Sequence, residues 1–146
     1  MEENHQIIEN LFQQYCEEVK ELLKESKPFA GLFGFGTGPK DDPCHARFIK
    51  KVNQETERMA NEPVSADEAS KTVRFLLSIQ LGCEKEGLIY WTCMAAHGAA
   101  LPLIPLLLPT DALEIFDTYS KDLPKRMRMP LQEKVMKALK NRSKGV

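Results

Sequence analysis

The sequence predicts an all-α protein, an irregular bundle of about six helices around one central apolar helix. Three observations carry this. Apolar residues recur at three- and four-residue steps in several windows, the period of amphipathic helices. No window alternates β-branched and polar residues as a strand would. Residues 87–110, GLIYWTCMAAHGAALPLIPLLLPT, contain no charged side chain. A helix apolar nearly all round belongs at the middle of a bundle, with singly striped helices wrapped about it. The 146 residues are read as a single helical domain, 1–146, long enough to bury a core without disulfides.

The first helix is expected over Asn4 to Ser26, with Ile7, Ile8, Leu11, Phe12, Tyr15, Val19, Leu22 and Leu23 inward and Pro28 ending it. Asp42-Pro43 is a good start for the second, Pro43 to about Asn61, with Phe48, Val52 and Met59 on its inner face. Ser65 and Glu68 have the spacing of a capping box and open a third helix, to about Leu81. The apolar helix is expected over about Glu86 to Ala100, followed by a turn rich in proline, Pro102, Pro105 and Pro109. Thr110-Asp111 should cap a fifth helix to Leu123, with Leu113, Phe116 and Tyr119 inward. Pro130 starts a sixth, to about Asn141, and residues 142–146 read as a frayed end.

The prolines also argue against residues 87–110 as a membrane span, since they break a helix before it could cross. The opening MEENHQ has neither the basic nor the apolar part of a secretory signal, and the four cysteines show no disulfide or zinc-knuckle spacing. The expected location is cytoplasmic, with reduced thiols. Net charge is −1 and favours no partner, but residues 1–30 lean acidic and the C-terminal stretch basic. Pairing of the last helix with the first accounts for that asymmetry without invoking nucleic acid, which is not an expected partner.

One stretch escapes helical and strand periodicity. Phe29 to Phe48, FAGLFGFGTGPKDDPCHARF, reads as a loop rich in glycine and phenylalanine between the first two helices, ending on a helix start. Backbone N–H groups at Gly34, Gly36 and Gly38, with Lys40 and Arg47, suit a small anionic ligand. Cys44 and His45 fall in the first helical turn, where the dipole favours a thiolate. Cys44 is therefore a candidate nucleophile and His45 its candidate base. The pattern lacks the GK[ST] of a P-loop. Cys93 and His97 stand four apart on one helix face, and with Cys44 and His45 they make a candidate metal set suited to zinc or iron. Trp91, with Tyr90 and Met94, could line a pocket for an apolar ligand. The expected function is a metal- or anion-binding site where residues 31–45 meet the Cys93/His97 face. The alternative is a non-catalytic helical interaction module that forms homo-oligomers.

Overall fold

A computed structural model describes residues 4–33, 43–62, 64–79, 95–123, 126 and 128–145, with side chains described at 4–18, 21, 46–62 and throughout the later segments. Among the described residues there are helices and no strands, so the all-α expectation holds. The elements are α1 (Asn4–Phe33), α2 (Pro43–Asn61), α3 (Ala66–Ser78), α4 (helical over 95–99), a 3₁₀ helix (Leu101–Leu106), α5 (Pro109–Asp122) and α6 (Pro130–Ser143).

Two ends differ from expectation for a backbone reason. Helix α1 does not stop before Pro28 but continues to Phe33. Proline removes one donor, yet its φ near −65° is itself helical. The helix therefore takes in Phe29, Gly31 and Phe33, residues assigned to the loop by composition. Helix α5 begins at Pro109, with Leu108 in the extended cap position and no side-chain cap, so Thr110 and Asp111 lie inside the first turn. The missing N–H of a proline costs nothing at a first helical position. The same rule places Pro43 and Pro130 at the starts of α2 and α6. Helix α3 ends at Ser78, with the Ile79 N–H turned back to the Leu76 carbonyl.

The core follows the stripes. Helix α2 buries Phe48, Val52, Thr56 and Met59; α3 buries Ala69, Val73, Leu76 and Leu77; α6 buries Val135, Met136 and Leu139. On α5 the buried line is Ala112, Ile115 and Tyr119. Leu113, expected inward, is about half exposed, at 52%. It sits one residue, roughly 100° of rotation, from Ala112 and so leaves the stripe. The described part of the uncharged stretch, 95–110, supplies core as expected: Ala96, His97, Ala99, Ala100, Leu103, Ile104 and Leu107 are all buried. Residues 80–94, which hold most of the expected apolar helix, lie outside the described residues. The small residues of the described part admit close neighbours. A Cβ added to Gly98 would lie 2.7 Å from Leu131 Cδ2 on α6, so a side chain there would have to turn Leu131 aside. The proline-rich run is a 3₁₀ helix packed on α2, α3 and α6. No helix of the described residues is long and apolar enough to cross a membrane.

An aromatic cluster joins the first three helices. Tyr15 of α1 stacks on Phe48 of α2 at 5.0 Å between centroids. Phe12 meets Phe48 and, edge to face, Phe75 of α3. Helix α6 packs mainly on α5 and the 3₁₀ helix, and α1 on α2 and α3. The basic last helix is thus not laid along the acidic first one. Nor is residue 142 frayed: the Arg142 guanidinium donates to the Leu107 carbonyl at 2.6 Å.

Glu68 corrects the capping-box expectation. Ser65 Oγ does accept from the Glu68 N–H, at 3.1 Å. The Glu68 carboxylate does not close the reciprocal bond. It accepts from the backbone N–H of Asn4 at 2.8 Å and from the Asn4 side-chain amide at 2.6 Å. It therefore caps α1 from α3, satisfying an N–H that has no partner within its own helix. Arg58 of α2 donates to Asn4 Oδ1 at 2.7 Å, bringing the third helix into the junction. Burial alone would raise the Glu68 pKa, but the Asn4 donors hold it below the ordinary carboxylate value. A depressed carboxylate contributes stability above its unfolded pKa and loses it as pH falls through the folded one. Glu68→Ala is expected to cost about 0.5–2 kcal/mol, the range for a lost helix cap, and to speed amide exchange in the first turn of α1. Denaturant titration and hydrogen exchange measure the two effects.

Candidate functional site

Two of the expected site residues have described side chains, Arg47 and His97. Gly34, Gly36, Gly38, Lys40, Trp91 and Cys93, and the side chains of Cys44 and His45, lie outside the described residues. Cys44 and His45 are the second and third residues of α2, the position their sequence implied. The structure gives Arg47 and His97 separate surroundings. Arg47 is exposed on α2 and pairs with Glu18 of α1 at 3.0 Å. His97 is fully buried.

The His97 ring is held from three sides. Nε2 lies 3.0 Å from the carbonyl of Ile79, just past α3. A carbonyl only accepts, so Nε2 must carry the proton. In the neutral ring Nδ1 is then an acceptor. It receives the Tyr119 hydroxyl of α5 at 2.7 Å and the Gln132 amide of α6 at 3.3 Å. The Gln132 orientation is fixed independently: its Oε1 accepts the Met129 backbone N–H at 2.9 Å, which turns Nε2 toward the histidine. These contacts are all consistent with one tautomer. The rings of His97 and Tyr119 meet edge to face at 5.3 Å.

Burial sets the protonation states. Desolvation pulls His97 down to about 4, against a smaller opposing effect of the Ile79 carbonyl. Desolvation raises Tyr119 well above the usual phenol value; nearby Arg128 lowers it and Glu133 raises it, both more weakly. The two pKa values are driven apart, so the proton stays on tyrosine. The pair is a hydrogen bond between neutral groups and does not generate a phenolate. Neither ring nitrogen is open to a metal without displacing Ile79, or Tyr119 together with Gln132. Among the described residues no group of three or more His, Cys, Asp and Glu side chains is placed to hold an ion. Adding Zn²⁺ is expected to leave both His97 ring ¹⁵N shifts unchanged. A metal-induced shift of either nitrogen would show that an ion displaces its protein partner.

Beside this cross-link, between α3 and α5, lies an open cleft of about 150 Å³. Leu77, Ile115 and Tyr119 give it apolar walls, and Arg74, Asp122 and the hydroxyl residues Ser78 and Thr118 line the rest. Tyr119 serves both places: its hydroxyl is committed to His97, so the cleft meets the ring. The Arg74 guanidinium is steered by Nε, which donates to Ser70 Oγ at 3.1 Å. Its Nη2 pairs with Glu114 at 3.4 Å.

Sequence reasoning did not find the cleft. Arg74, Ser78, Thr118 and Asp122 are ordinary residues for an exposed helix face, and only the juxtaposition of α3 with α5 gives them a common site. Gln132 carried a faint signal, as a glutamine three residues after a cap position. No protein-family model, no curated protein and no solved structure matches the chain.

Proposed function

We propose that this protein is a non-catalytic helical binding module whose working surface is the α3–α5 cleft. One observation carries the reading: an apolar hollow, bordered by a cation, an anion and two hydroxyl residues, is backed by a cross-link that holds its walls in register. Small-molecule sites commonly combine apolar walls with a few placed polar groups. His97 ties the end of α3 to α5 through Ile79 and Tyr119, and so fixes the spacing of the two helices. The reading departs from a metal centre at His97 because the imidazole is spent on structure. It keeps the cytoplasmic setting and the self-association expected of an interaction module.

The test is a fragment screen on protein carrying ¹³C-labelled Leu and Ile methyl groups. Compounds that bind are expected to move Leu77 and Ile115 together. Ser78→Trp, at an exposed rim position, covers the cleft without entering the core and is expected to abolish those shifts while the remaining spectrum keeps its dispersion. A library that never moves these two methyl groups refutes the reading.

A further inference from the structure

We infer that the α3–α5 cleft takes a single-ring aromatic monocarboxylate bearing a hydrogen-bond donor at the far end of its ring. This rests on the cleft being the working surface. Size comes first. At about 150 Å³ the hollow has the volume of cavities that, when lined by aliphatic and aromatic side chains, accept one benzene ring. Leu77 and Ile115 supply apolar contact, and Tyr119 offers an aromatic ring for an offset or edge-to-face partner.

Charge then orients the ring. Arg74 is the one cation among the cleft residues described. Its bond to Ser70 holds Nε, and Nη2 is shared with Glu114, whose side chain is 69% exposed. An exposed pair of this kind contributes little, so a ligand carboxylate held against an apolar wall can replace Glu114 at small cost. Asp122 lies eight residues beyond Glu114 on α5, about 12 Å of helix rise. Arg74 and Asp122 therefore mark opposite ends of the cleft. The cleft beyond Arg74 can accept: Asp122 is a carboxylate, and Ser78, which also lines the cleft, already donates Oγ to the Phe75 carbonyl at 2.7 Å, leaving its lone pairs. A phenolic hydroxyl there finds acceptors, whereas a second carboxylate meets repulsion. The ligand class is thus acid at one end and donor at the other, with one ring between.

Four probes of one size separate the contributions: 4-hydroxyphenylacetate, phenylacetate, tyramine and benzene-1,4-dicarboxylate. Binding is read by methyl shifts at Leu77 and Ile115 and by calorimetry. The hydroxy acid is expected to bind tightest and the dicarboxylate not at all. Arg74→Gln should weaken the hydroxy acid about threefold to fivefold, the loss of an ion pair at a partly exposed guanidinium. Asp122→Asn should weaken it severalfold, leave phenylacetate unchanged and admit the dicarboxylate. Both substitutions are at the surface, and an unchanged amide spectrum confirms their folding. If tyramine binds at these methyl groups as tightly as the acid, or if Arg74→Gln binds the acid as wild type does, the ligand class is wrong while the cleft survives as the binding surface. If none of the four moves either methyl group, the ligand class is wrong, and if the wider fragment library is also silent the cleft reading falls with it.

Discussion

Replacing His97 by alanine is expected to lower the unfolding free energy by about 3–5 kcal/mol at pH 7, combining a buried cavity with polar groups left without partners. The loss is large because one ring satisfies three elements. Without it the Ile79 carbonyl, the Tyr119 hydroxyl and one Gln132 N–H are stranded in a site closed to water. Urea titration measures the change. His97→Gln, which keeps a donor and an acceptor, should recover part of it. The same ring gives stability a pH dependence of definite sign. His97 folds with its pKa depressed from 6.5 to about 4, so the unfolded chain binds the proton more tightly. Stability is then full above pH 6.5 and declines as pH falls toward 4, by about 3 kcal/mol in total. Once protonated, Nδ1 carries a hydrogen that faces the Gln132 amide donor. In His97→Gln the slope between pH 6.5 and 4 should vanish, leaving the acid loss from Glu68 at lower pH. An unaltered slope in that variant would assign the titration to another group.

The second large effect belongs to Phe48. Phe48→Ala is expected to cost about 3–5 kcal/mol. The side chain is 3% exposed and stacks on Tyr15 while touching Phe12. Its removal empties the junction of α1 with α2, so damage should concentrate there. Hydrogen exchange should rise in α1 and α2 before it rises in α5 and α6, which pack on one another and the 3₁₀ helix. Uniform loss of protection would show instead that the bundle opens as one unit.

Much of this architecture is legible in the residues. The stripe Phe48-Val52-Met59, the described part of the uncharged run at 95–110 and the prolines at 43 and 130 each state a local rule, and each rule holds. What fails is local reasoning about polar side chains with distant partners. Glu68 lies three residues from a serine cap, which predicts a local bond, but its carboxylate is taken by Asn4, 64 positions away. His97 beside Cys93 has ligand spacing, yet its ring is claimed from positions 79, 119 and 132. Pro28 reads as a stop, and α1 passes through it. For Glu68 and His97, periodicity shows which face is buried but says nothing of which element will cover it; at Pro28 the backbone rule is permissive rather than a stop. The cleft is the extreme case, since its polar border exists only after α3 and α5 have met.

The tie between Asn4 and Glu68 has an energetic corollary. Joining chain positions that far apart carries an ordering cost of about 4 kcal/mol, taking the logarithmic dependence on loop length. Two hydrogen bonds repay little of that in water. Most of the compensation must come from apolar packing of α1, with Phe12, Tyr15, Phe48 and Phe75 closing around one another. The carboxylate is thus a latch on a docked helix rather than the force that docks it.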